Sequence, residues 1–344
     1  MWYQGILDRG LVPDWVIRQA IRQRCQRRLN REDLADPAAM KERQAAFLAE
    51  LRTSPIAVHT DAANVQHYEV LPEFFAAVLG RWRKYSCGYW PEGTTNLDES
   101  EERMLALTAQ RAGIIDGQRI LDLGCGWGSL ALYLAEHFPQ ASILAISNSR
   151  LQGQFITGEA QTRGLTNLSV QTADINNFVP GEMFDRVVSV EMFEHLKNYG
   201  EMLRRIASWL LPGGQLFVHM FVHRRFAYHY EAEGPDDWMA RHFFTGGTMP
   251  SADLLDQFAD HLVVAERWPV SGLHYQKTCE AWLERMDTNR QLIRPILART
   301  YGSELVTRWW VRWRVFFMAC AELFGFRGGT EWFVGHYLLR PRIR

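Results

Sequence analysis

The chain has 344 residues, 47% of them hydrophobic and 22% charged, with a formal net charge of −1. That is the composition of an ordinary globular protein with an ample core, in one large domain or two small ones. It carries no basic surplus with which to hold a phosphate backbone, which counts against a nucleic-acid substrate. Its five cysteines (25, 87, 125, 279 and 320) are odd in number and lack metal-ligand spacing. They point to a reducing compartment and to no metal. Met1-Trp-Tyr-Gln-Gly5 has neither the basic nor the apolar region of a signal peptide. Trp309 to Phe326 is the most apolar stretch, but Arg312, Arg314 and Glu322 interrupt it. It reads as a packed amphipathic helix, not an integral membrane segment. A soluble cytoplasmic protein is therefore expected.

In chain order, residues 1–84 read as a helical N-terminal region. Val16, Ile17, Ala20, Ile21 and Cys25 recur at helical spacing, with Arg18, Arg22, Arg24, Arg27 and Arg28 on the other faces. That basic face reads as a solvated surface partly neutralised by Glu32, Asp33 and Asp36, with an anion or membrane contact as the alternative. Leu71 to Trp82 is a further amphipathic helix. Tyr85-Ser-Cys-Gly-Tyr-Trp90-Pro91 follows, too dense in aromatics for a plain linker. Leu97 to Arg111 is a helix leading into the first strand.

Residues 85–222 then alternate: strand at 119–123, helix, strand 142–148, helix 151–165, strands 168–173 and 184–190, helix 198–210, strand 215–222. Repeated βα alternation implies an α/β fold with a parallel sheet covered on both faces. Leu211-Pro-Gly-Gly214 reads as a helix stop. From 223 to 344 the pattern is less regular. His223 to Pro250 is aromatic, Leu254 to Phe258 is helical, and a strand runs through Leu262-Val-Val-Ala265 to Val270. Two long helices near 279–297 and 303–326 and a last strand from Trp332 to Leu339 complete the chain. Such additions at both ends are expected to form a lid over the strand ends, where ligands bind.

The chemistry concentrates at those ends. In Arg119-Ile-Leu-Asp-Leu-Gly-Cys-Gly-Trp-Gly128 a buried strand breaks into glycines and feeds a helix, bringing backbone N–H groups to a ligand. Gly124 and Gly126 are the candidates, since a Cβ would obstruct close approach. The dinucleotide fingerprint wants G-x-G-x-x-G and an acid about 20 residues on. Here the spacing is G-x-G-x-G, and the second strand ends in Ser147-Asn-Ser149 with no carboxylate. Those departures favour S-adenosylmethionine over NAD. Asn148 and Gln152 are placed to bond ribose hydroxyls, with turn formation as the alternative for Ser-Asn-Ser. Asp174 and Ile175 are placed to grip an adenine, with a helix cap as the alternative for Asp174.

The sharpest signal is Glu191-Met-Phe-Glu-His195, directly after the strand Val187 to Val190. If a helical turn begins there, Glu191 and His195 share one face with Glu194 adjacent. Two carboxylates and an imidazole at a strand end suit an ammonium substrate and the removal of its proton.

With these motifs in hand, the chain resembles the S-adenosylmethionine-dependent methyltransferases related to cyclopropane-fatty-acyl-phospholipid synthase. Within that group it is most similar to the coclaurine N-methyltransferase-like enzymes. The resemblance is carried by Tyr85-Ser-Cys-Gly-Tyr-Trp90, Leu121-Asp-Leu-Gly-Cys-Gly126, Ser147-Asn-Ser149, Val190-Glu-Met-Phe-Glu-His-Leu-Lys-Asn-Tyr199, Phe226-Ala-Tyr-His-Tyr230, Gly246-Gly-Thr-Met-Pro-Ser251 and Glu331-Trp332. It implies a Rossmann-like class I methyltransferase: a seven-stranded, mostly parallel sheet with one antiparallel strand and helical lid additions. It implies methyl transfer to a small-molecule amine, benzylisoquinoline-like or otherwise aromatic, with a homodimer allowed. Glu191, Glu194 and His195 would lie at the amine, Tyr68 and Trp332 would help line its pocket, and Tyr85 and Ser86 would join the cofactor contacts. His195 is the expected base, with the two glutamates attracting the cation. The cyclopropane synthases carry a small residue where Glu191 stands, so the extra acid suits amine binding. A lipid-modifying enzyme of the synthase type is the alternative.

Overall fold

Arg119–Leu123, the apolar run before the glycines, lies in the middle of the sheet as β1. The computed structural model describes residues 2–58, 70–230 and 237–342. The strands are β1, β2 (Ser142–Ser147), β3 (Leu168–Thr172), β4 (Phe184–Val190), β5 (Leu210–His223), a short pair β6 (Tyr228–His229) and β7 (Thr248–Met249), β8 (Leu262–Val270) and β9 (Trp332–Pro341). Among the described residues, seven form one sheet in the order β3-β2-β1-β4-β5-β9-β8. The first five run parallel, and β9 runs antiparallel to both β5 and β8. The sheet is therefore the expected seven-stranded one with a single reversed strand. The strand order reverses between β1 and β4, and a ligand crevice opens at the carboxyl ends there.

The helices are α1 (Trp2–Asp8), α2 (Asp14–Glu32), α3 (Pro37–Thr53), α4 (Pro72–Val78), α5 (Leu97–Arg111), α6 (Ser129–His137), α7 (Arg150–Thr162), α8 (Tyr199–Trp209), α9 (Trp238–His242), α10 (Gly272–Thr288), α11 (Arg290–Tyr301) and α12 (Val306–Phe324). Local chemistry starts several of them. Asn96, Ser149 and Asn198 cap α5, α7 and α8 through side-chain oxygens that accept backbone N–H groups.

The two sheet faces bury separate cores, around Val187, Leu203 and Val218 on one side and Ile120, Leu134 and Ile143 on the other. A third core unites the two ends of the chain, with Ile17, Cys25 and Leu29 of α2 in the same cluster as Trp310, Trp313 and Phe317 of α12. No helix of the described residues is long and apolar enough to cross a membrane.

Four expectations shift. The helix expected over Leu71 to Trp82 stops at Val78, because the buried Glu101 carboxylate on α5 draws the N–H groups of Gly80 and Trp82 (2.8 and 2.9 Å) out of helical register. The helix expected near 279–297 begins at Gly272, capped by Ser271, and breaks at Asn289, whose side chain donates to the Ala77 carbonyl at 2.7 Å. Leu211-Pro-Gly-Gly214 lies inside β5, where the pairing with β4 shifts register. The basic face of α2 meets carboxylates from the far end of the chain: Arg18 pairs with Glu280 (2.6 Å) and Glu322 (2.9 Å), and Arg22 with Glu322 (2.5 Å).

Candidate active site

The turn after β1 is tied to its neighbour, with the N–H groups of Gly124 and Cys125 donating to the Ile146 carbonyl at 3.1 and 2.9 Å. Gly124 (φ +82°) and Gly126 (φ +53°) are both left-handed, but for different uses. A Cβ at Gly124 would lie 2.5 Å from Met192 Cγ, so this glycine permits close packing of the loop after the neighbouring strand β4. A Cβ at Gly126 would meet no heavy atom within 4 Å; it would project into the cleft.

That cleft, about 830 Å³ and open to solvent, brings together Gly124, Gly126, Asn148, Gln152, Asp174 and Ile175. Ser147 Oγ donates to Gln152 Oε1 at 2.7 Å, which fixes the amide and leaves its buried Nε2 without a protein partner. A buried donor in a cleft wall needs an acceptor, and ribose hydroxyls supply one. Asp174 caps no helix; its Oδ1 accepts from Asn176 N at 2.9 Å within a turn. These residues fit S-adenosylmethionine: a cradle only glycine leaves open, an orphaned amide donor, and an apolar side chain beside an acid.

Behind the cleft lies a second cavity of about 820 Å³, walled by Phe221, Tyr230, Phe244, Tyr275, Phe316 and Phe324. Glu191 and His195 line both cavities.

The loop that carries them differs from the expected helical turn. Glu191 sits at φ +48°, an unusual conformation for a side chain with a Cβ. A 3₁₀ turn over Phe193–His195 follows. Glu191 is held from three sides: Oε1 accepts from Cys87 N (3.0 Å) and faces His219 Nε2 (3.2 Å), and Oε2 accepts from the Tyr275 hydroxyl (2.5 Å). Burial raises its pKa, and the buried Lys84 ammonium opposes that rise.

His195 is pulled down to about 4 by burial, with the Glu191 charge opposing. Its imidazole is therefore neutral across the neutral pH range, and it packs edge-on to Phe244 at 5.0 Å. Glu194 departs from expectation. It lines neither cavity, is fully buried, and its Oε1 accepts from Phe221 N at 2.6 Å. Burial and the neighbouring Glu191 charge push its carboxyl well above the usual range, which favours the protonated form. The 3₁₀ turn aims it into the protein while Glu191 and His195 face the cleft.

The resemblance also names Tyr85, Ser86 and Trp332. Tyr85 lines the aromatic cavity, not the cofactor cleft. Ser86 is buried against the Lys84 ammonium. Trp332 is fully buried, donating its indole N–H to the Tyr228 hydroxyl at 3.0 Å, and lines neither cavity. Tyr68 lies outside the described residues. Sequence reasoning missed Tyr275, Phe244, Phe316 and Phe324. For Tyr275, Phe316 and Phe324 the local signal was the spacing of aromatics on α10 and α12, which reads equally well as core; Phe244 lies in the aromatic segment after α9.

The sheet order, the glycine turn and the cleft at the switch point define a class I, S-adenosylmethionine-dependent methyltransferase. The family model for mycolic acid cyclopropane synthetase matches residues 57–329, and the chain belongs to that family. The chain is 38% identical over 344 residues to (S)-coclaurine N-methyltransferase of Thalictrum flavum subsp. glaucum, covering 98% of this chain and 94% of that one. A crystal structure of coclaurine N-methyltransferase bound to N-methylheliamine and SAH superposes with a TM-score of 0.94 at 37% identity, covering 98% of each chain. A cyclopropane synthase from Mycobacterium tuberculosis shares the fold, with a TM-score of 0.69 at 21% identity over 84% of this chain and 100% of that one.

Proposed function

We propose that this enzyme methylates the nitrogen of a small aromatic amine of the benzylisoquinoline type. The observation that carries the reading is the pair Glu191 and His195 standing in the wall between the glycine-lined cleft and an aromatic cavity. The relatives named for coclaurine N-methylation support the same substrate class.

Gly126, Asn148, Gln152, Asp174 and Ile175 would hold S-adenosylmethionine, which when bound supplies an electrophilic methyl group. The chain's own residues then have two tasks. The first is to gather the amine. The Glu191 carboxylate attracts an ammonium, and the faces of Tyr230, Phe244 and Phe316 favour a cation and stack with aromatic rings. The second is to free the nitrogen's lone pair. An aliphatic ammonium of pKa about 10 is neutral in only ~0.1% of molecules at pH 7, a penalty of roughly 4 kcal/mol.

His195 is the acceptor we assign. It is unprotonated, it faces both cavities, and the Glu191 charge stabilises the imidazolium that forms. The same burial that weakens His195 as a base weakens the ammonium's hold on its proton, which narrows the gap between them. Five free thiols, four of them buried, support a reducing, cytoplasmic setting.

Turnover of methyl-labelled cofactor with benzylisoquinoline, simple aromatic and aliphatic amines, and with unsaturated phospholipid vesicles, tests the reading. Labelling of the benzylisoquinolines above the other amines is expected. Label entering vesicle lipid and no amine would overturn it in favour of the synthase-type activity.

A further inference from the structure

Glu191 is the near end of a longer chain of contacts. His219 on β5 and His336 on β9 are register partners across the antiparallel pair, and both are fully buried. His336 Nε2 lies 2.9 Å from His219 Nδ1, and Arg111 Nη1, from the last residue of α5, lies 2.8 Å from His336 Nδ1. With His219 Nε2 at 3.2 Å from Glu191 Oε1, four side chains make one continuous line.

Its direction follows from chemistry. A guanidinium only donates, so His336 Nδ1 accepts. A neutral His336 then carries its proton on Nε2 and donates to His219 Nδ1. His219 in turn carries its proton on Nε2 and donates to the Glu191 carboxylate. Burial holds both imidazoles neutral, with Lys84 and Arg111 reinforcing it at His219 and the His219 ring and Arg111 at His336.

We propose that Arg111, His336 and His219 are positioning residues: a one-way hydrogen-bond relay, crossing the sheet from α5, that presents an N–H to Glu191 Oε1 and keeps this left-handed residue aimed at the amine. The inference rests on the reading of Glu191 as the amine-facing carboxylate. The relay is no exit for the amine's proton. Its imidazole protons already point toward Glu191, and Arg111 cannot accept one.

Two measurements test it. In histidine-¹⁵N-labelled full-length protein, NMR should show His219 and His336 as neutral Nε2–H tautomers. Arg111→Met and His336→Leu should lower kcat by about 10- to 100-fold, the scale set by small misplacements of catalytic groups. Cofactor affinity and melting temperature should change little. His336→Gln should restore most of the rate, because its amide oxygen accepts from Arg111 and its N–H donates to His219.

The relay is overturned if either histidine proves to be the Nδ1–H tautomer or an imidazolium. It is equally overturned if His336→Gln is as slow as a folded His336→Leu, or if Arg111→Met and His336→Leu both keep the wild-type rate. Glu191→Gln is the reference. An unimpaired Glu191→Gln removes the underlying reading, whereas an impaired one beside fast relay variants removes the relay alone.

Discussion

The two cavities share a wall and are built by opposite means. The cofactor cleft takes its polar lining mainly from the ends of β1, β2 and β3, with further walls from residues 57–58, the loop at 191–196 and residues 245–246. The aromatic cavity is lined by large side chains from the loop at Tyr85, the end of β5, the segment around Phe244, α10 and α12. A ligand held by main-chain groups and strand-end turns draws most of those contacts from residues close in sequence, because successive βα units deliver them to one edge of the sheet. A ligand held by ring faces needs several helices converging, and those come from wherever the lid core is assembled. The two meet at Glu191 and His195, where the proposed chemistry falls.

Gly126→Val is expected to have the largest effect. The new side chain would fill cleft space, not core space, so cofactor binding should vanish by calorimetry while circular dichroism keeps the fold. Gly128→Ala is its counterpart. A Cβ there would meet Ile156 Cγ1 at 2.6 Å, so it should lower stability by roughly 1–3 kcal/mol. Equal cofactor affinities for wild type and a folded Gly126→Val would end the distinction between a cradle glycine and a packing glycine.

His195→Ala tests the shared wall. It should lower kcat by about 10²–10⁴-fold with cofactor affinity intact. The sign of its pH dependence follows from the direction of its shift. A histidine pulled down to about 4 is ready to accept a proton above that pH and loses the capacity below it. The deficit of the variant should shrink above the substrate's own pKa, where the amine is already neutral. Glu191→Gln should mainly raise KM for a cationic amine. Matching pH–rate profiles of similar height for wild type and His195→Ala would make the histidine structural.

The smallest effects separate the regions most cleanly. Asn148→Ala should weaken cofactor binding by roughly 1–3 kcal/mol and leave the amine's KM alone. Phe244→Leu should do the reverse, weakening an aromatic amine by about 0.5–1.5 kcal/mol. A cofactor-affinity loss in Phe244→Leu as large as that in Asn148→Ala would show that the two cavities respond as one.

The sequence by itself determined the α/β alternation, the glycine turn and the Glu191–His195 segment. Each of these is encoded within a dozen or so neighbouring residues, where periodicity, caps and turn chemistry act. Tertiary structure alone decided the rest. Glu194 points inward because φ at Glu191 is positive and a 3₁₀ turn follows. Trp332 is buried with its indole on the Tyr228 hydroxyl, and Arg18 and Arg22 answer Glu280 and Glu322, some 260 to 300 positions along the chain. The line from Arg111 to Glu191 exists only because an antiparallel strand sets His336 beside His219. Distance in sequence hides such pairs. Which buried groups meet is set by how the sheet and lid pack, and that information is spread over the whole chain.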